Sequence, residues 1–197
     1  MRRARRGRYG KRHNLIKHEF NAPLAKKIAT WSAEILVVVL IAYVVATFLA
    51  ARTTVVGQSM APTVEDGDSI LVNKFSYVFS EPKRNDVIVF LPNGNEKSHY
   101  YVKRVIGVPG DTVQIKNGIV YINKKPLDEA VNAEPIEEAE LADKPVHLKK
   151  DEYFVLGDNR NSSEDSRYAN IGNIKRKYIV GKAWFRLMPF SKMGKMK

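Results

Sequence analysis

Apolar and charged positions are segregated along this 197-residue chain. The first 34 residues are polar and crowded with charge, whereas Ile35–Ala51 (ILVVVLIAYVVATFLAA) hold 17 residues without one. That run has no polar stripe of the kind a helix packed on a soluble core shows. Extended past Glu34 through Ala33, Ser32 and Trp31 it reaches about 20 residues, enough to span a bilayer, with Trp31 as an interfacial anchor. After Arg52 the period changes. Short β-branched and aromatic runs (SILVNKF, DVIVFL, YYVKRVIGV, DTVQIKNGIVYIN, EYFVLG, YIVGKAWFRL) alternate with turn signals such as LPNGN, GVPGD and GDNRNS. QIKNGIVYIN predicts a hairpin in which Asn117 and Gly118 supply the positive φ angles of a type I′ turn. The segment 127–150 is acidic, alanine-rich and weakly periodic, and reads as an insertion or flexible loop with a turn of helix in PIEEAELA.

The fold class predicted is mainly β: an antiparallel β-sheet domain behind a single N-terminal transmembrane helix, with a small insertion. The divisions follow the composition: a basic cytoplasmic tail at 1–30, an anchor at 31–51 and an extracytoplasmic β-rich domain at 52–197. A cleaved signal peptide competes for the same apolar residues. Its usual apolar run is shorter, and cleavage near TFLAA would leave Ser59 close to a new N-terminus, so an uncleaved anchor is the reading taken.

Charge sharpens this picture. The formal net charge is +12, and ten basic against two acidic residues before position 35 account for +8 of it. The basicity is therefore a tail beside an apolar run, not a basic face for nucleic acid. Arginines 2 to 8 favour the cytoplasmic side and contact with anionic lipid, which places the remainder outside. Cysteine is absent, which removes disulfides and thiolate chemistry. No metal cluster or phosphate-binding loop stands out, so neither a cofactor nor a metal is expected.

Ser59, in VVGQSMAPT, lies eight residues past the apolar run. An extended chain covers about 3.3 Å per residue, which keeps it within roughly 26 Å of a membrane surface. Ser163 and scattered threonines are the other candidate nucleophiles. A serine needs a base. Of the four histidines, His13 and His18 fall in the tail, His147 in the acidic segment, and His99 is left open for a Ser-His-Asp arrangement. In YYVKRVIGV, strand alternation sets Tyr101, Lys103 and Val105 on one face. A lysine desolvated between apolar neighbours loses its charge more readily and can act as a base, whereas Arg104 cannot. A lysine whose stem snorkels out of the sheet is the plainer alternative.

GQSMAPT, YVKRVIGVPGD and GDNRNSSEDSR (157–167), in that order behind an apolar segment, resemble type I signal peptidase (leader peptidase), in its compact Gram-positive form. The resemblance covers most of residues 31–190. It implies a membrane-bound Ser-Lys endopeptidase that removes signal peptides with small residues at −1 and −3 from exported preproteins. Ser59 is then the nucleophile and Lys103 the general base. Ser163 matches the serine that orients the lysine, with Ser162 and Ser166 as local alternatives. Asp158 with Arg104, and Asp165 with Arg167, match structural ion pairs. Gly57 stands where some relatives carry a serine donor to the oxyanion, so the backbone N–H of Ser59 bears more of that stabilisation. Met60 and AWFRLMPF offer apolar surface to lipid, although Trp184, Phe185 and Leu187 are expected as core strand residues. Two further readings stand beside this one. A Ser-Lys self-cleaving regulator would need a helix-turn-helix where the apolar run lies. A non-enzymatic anchored β-domain that binds exported proteins would leave Ser59 unreactive.

Overall fold

The structure, a computed structural model, describes residues 22–95 and 97–196, with the backbone alone for 22 and 44–51. The tail at 1–21, with His13 and His18, lies outside the described residues. The chain divides between Ala42 and Tyr43 into two units. Helix α1 (Ala22–Leu49) spans 28 residues. From Leu36 to Tyr43 its apolar side chains are exposed all around the helix. Among the described residues no helix is long and apolar enough to cross a membrane. The first turns of α1 carry Lys26, Lys27 and Glu34, and the side chains of the second half of the apolar run, 44–51, are not among those described.

The second unit is the expected β domain. Its strands are β1 (Ala50–Thr54), β2 (Ser69–Asn73), β3 (Val87–Phe90), β4 (Tyr101–Gly107), β5 (Thr112–Lys116), β6 (Ile119–Ile122), β7 (Lys125–Pro126), β8 (Val146–His147), β9 (Glu152–Leu156), β10 (Ile174–Lys175), β11 (Ile179–Met188) and β12 (Gly194–Lys195). They form an eight-stranded sheet in the order β1-β2-β11-β3-β4-β9-β10, with β12 on β11, and a four-stranded sheet in the order β7-β6-β5-β8. Each strand pair among the described residues is antiparallel. The NG hairpin is present as read: Lys116 pairs with Ile119, and Asn117 and Gly118 have φ of 50° and 77°.

Alternation explains the core. Val102 joins Met60, Val64, Val72 and Val89 in one apolar cluster. Val105 joins Ile88, Phe90, Tyr153 and Val155 in another, against which Tyr101 packs. A third cluster fills the small sheet and takes in Ile136, Ala142 and Leu148 from the segment 127–150. That segment, read as an insertion or flexible loop, is thus tied to the core. A 3-10 turn forms at Glu140–Asp143, at the end of PIEEAELA and beyond it, because Ala142 is the residue buried there. Two apolar expectations change. Met60 is 1% exposed and belongs to the core, not to a lipid-facing surface. Trp184, Phe185 and Leu187 do lie on β11, but Trp184 is exposed and the other two are half-buried, because this end of the strand lies beyond the apolar clusters.

Candidate active site

Ser59 sits on a loop that the neighbouring sequence holds at several points. Val55, just past β1, is buried and exchanges backbone hydrogen bonds with Asp68 and Gly67. The Gly57 N–H donates to Asp66 Oδ1 at 2.7 Å, and the residue adopts φ of 90°, a conformation costly for any side chain but glycine's. Ala61 N–H closes a turn on the Gln58 carbonyl, and Val64 N–H donates to Met60. With Met60 buried beneath it, Ser59 is left half-exposed at the surface of the turn.

Lys103 lies on β4, an interior strand of the large sheet, opposite Ile88 of β3. It is 3% exposed, and its Nζ donates to Ser59 Oγ at 2.6 Å. The two residues stand 44 positions apart in sequence. Burial lowers the ammonium from its ordinary 10.5 to about 8. Asp165, Glu164 and Asp158 pull in the opposite direction, and Arg167 adds to the lowering. Among the described residues the Ser59 hydroxyl bonds to Lys103 and not to a histidine; His99, exposed, lines the same cleft.

The segment 157–167 closes the site from the other side. Asn159 N–H donates to the Ser59 carbonyl at 3.1 Å. Gly157 lies so close that a Cβ there would overlap both the Ser59 carbonyl oxygen and Ser163 Oγ. The Ser163 hydroxyl is buried and donates to Asp165 Oδ2 at 2.8 Å, not to Lys103. Ser166 Oγ accepts the Val155 N–H of β9, and Ser162 is exposed at the cleft. Asp158 grips Arg104 with two bonds of 2.7 Å, both side chains buried. Asp165 holds the Arg167 Nε at 2.8 Å, and Arg167 also donates to the Ser163 carbonyl at 3.2 Å. Because both arginines are buried, loss of either carboxylate would strand a charge.

The arrangement combines a hydroxyl, a buried amine within hydrogen-bond reach and a free backbone donor. Among the described residues no acceptor takes the Ser59 N–H, whereas the Gly57 N–H is occupied by Asp66. These groups lie in a cleft of about 500 Å³ between residues 55–59 and the start of β4, with Ser162 and Glu164 on its wall. Sequence reasoning passed over several residues that the structure brings in. Gly157 gave a signal only as the first letter of GDNRNSSEDSR. Arg160, 3% exposed, is held by Glu129 of the 127–150 segment at 2.8 and 2.7 Å, a partnership that spacing alone does not reveal. Glu164, linked to Tyr101 at 3.4 Å, also went unmarked.

The signal peptidase, peptidase S26 family model matches residues 28–188. Signal peptidase I of Bacillus licheniformis is 38% identical over 172 residues, 84% of this chain and 91% of that protein. Signal peptidase I T of Bacillus subtilis (strain 168) is 39% identical over 174 residues, 85% and 89% of the two chains. A crystal structure of a signal peptidase I from Enterococcus faecalis V583 aligns with a TM-score of 0.42 at 31% identity, covering 52% of this chain and 97% of that one. The chain belongs to the signal peptidase family, peptidase S26, a family of serine endopeptidases, and within it to the type I signal peptidases.

Proposed function

We propose that this chain is a membrane-anchored endopeptidase that cuts N-terminal signal peptides from exported preproteins with a Ser59–Lys103 dyad. The observation that carries the reading is the 2.6 Å contact between Ser59 Oγ and a buried Lys103 Nζ. With the amine neutral, the same contact passes the serine proton to Nζ as Oγ attacks the scissile carbonyl. The tetrahedral oxyanion forms beside the Ser59 N–H, which has no competing acceptor among the described residues. As the C–N bond breaks, the Lys103 ammonium returns its proton to the leaving amine, the new N-terminus of the mature protein. Lys103, neutral again, then takes a proton from the water that attacks the acyl ester, and Ser59 is regenerated on release of the signal peptide.

Ser163 fits a positioning role in this cycle. Its proton is committed to Asp165, so its oxygen presents a lone pair that can accept from Lys103 when Nζ is charged. Arg104–Asp158 and Arg167–Asp165 fix the loop that carries it. Membrane attachment is supported by the uncharged run Ile35–Ala51 and by apolar side chains exposed on all sides of α1, which water does not favour. The arginine-rich tail keeps the N-terminus cytoplasmic and the β domain on the opposite side. Tethered to the bilayer, the nucleophile meets substrates that are themselves held there by apolar signal sequences.

Ser59→Ala and Lys103→Ala variants assayed on a preprotein test the dyad. Each is expected to lower processing by at least about 10³-fold. Substantial processing by either variant contradicts the proposal. Failure of wild-type Ser59 to react with a serine-directed acylating inhibitor favours a binding module instead.

A further inference from the structure

Glu164 stands apart from the other acids around the site. Asp158, Asp165 and Glu129 each hold an arginine. Glu164 has no ion-pair partner among the described residues and is exposed on the wall of the catalytic cleft. Two neutral donors nevertheless lie against its carboxylate. Tyr101 OH donates to Oε2 at 3.4 Å, and Asn170 Nδ2 donates to Oε1 at 3.0 Å. A carboxylate offers about four lone-pair sites, so capacity remains on both oxygens for a charged donor. The position relative to the chemistry follows from β4. Tyr101 and Lys103 alternate onto one face, Lys103 Nζ lying 5.6 Å from the centre of the Tyr101 ring. Residues two apart on a strand are separated by about 7 Å, the span of two residues of an extended substrate lying alongside.

We propose that Glu164 is a specificity-determining residue that favours a lysine or arginine in the substrate within about three residues of the scissile bond. The assignment rests on the reading that Ser59 and Lys103 cut a preprotein. The carboxylate attracts a cationic side chain entering the cleft and repels an anionic one, and the contrast between the two is the quantity to measure. Merely steadying Tyr101 and the 160–170 loop would affect all substrates alike.

The experiment uses the full chain in detergent and a preprotein in which each of the three residues on either side of the cleavage site is replaced singly by lysine or by glutamate. At one or more positions the wild-type kcat/KM is expected to favour lysine roughly three- to tenfold, a preference that shrinks as ionic strength rises. Glu164→Gln brings the ratio close to one, and Glu164→Lys inverts it. A ratio unchanged in these variants, no charge preference in the wild type, or cleavage lost by both variants on all substrates overturns the proposal. If the wild-type chain does not cut the unmodified preprotein, the functional reading itself fails, and this assignment with it.

Discussion

At the residue scale the proposed dyad depends on how much Lys103 is penalised for its charge. Its ammonium titrates in the folded protein at about 8, below its ordinary 10.5, because burial disfavours the charged form. The penalty is present in full below the folded value and vanishes as pH rises through the unfolded one, so this group contributes stability that increases between about 8 and 10.5. At 1.36 kcal/mol per unit, it costs roughly 3 kcal/mol at neutral pH. Lys103→Met, which keeps the length and removes the charge, is therefore expected to be inactive yet more stable at pH 7 by on the order of 1–3 kcal/mol, with the gain fading above pH 10. Urea unfolding of both proteins at the two pH values checks this. A destabilised Lys103→Met variant at pH 7 would show that the amine's hydrogen bond to Ser59 outweighs its desolvation.

At the element scale, the site is where the turn 55–64, strand β4 and the segment 157–167 meet. Much of each was legible separately. Alternation placed Tyr101, Lys103 and Val105 on one face of a strand, and the NG dipeptide marked the β5–β6 hairpin, because both are local consequences of backbone geometry. The junctions were not legible. No local rule indicates that Asn159 N–H caps the Ser59 carbonyl, that Arg160 is clamped by Glu129, or that Met60 turns inward beside a half-exposed serine. Those depend on strand order, which brings β9 beside β4 and hence the segment after β9 onto the Ser59 turn. Gly157 tests the junction. A Cβ there meets Ser163 Oγ and the Ser59 carbonyl, so Gly157→Ala must push the two segments apart. Displacements of about 1 Å at a reacting pair cost about 10²-fold in rate. Gly157→Ala is expected to lose at least that much kcat while the circular dichroism of the β domain persists; near-normal kcat would mean the junction tolerates expansion.

At the scale of the whole molecule, a charge-dense tail, an uncharged run and a β-rich segment follow one another in sequence, and of these the structure bears out the β fold. The acidic stretch 127–150 has the composition of a solvated loop, yet three buried apolar residues, Ile136, Ala142 and Leu148, stitch it into the small sheet's core. The proposed mechanism turns on whether Lys103 works as a base. The most direct measurement is the pH dependence of kcat/KM for preprotein cleavage by the intact chain between pH 6 and 10. With Lys103 titrating at about 8, the rate should rise about tenfold per pH unit on the acid side and level off above that value. A rate independent of pH across the range would contradict a lysine base, as would a rise with its midpoint near pH 6.5, the signature of a histidine.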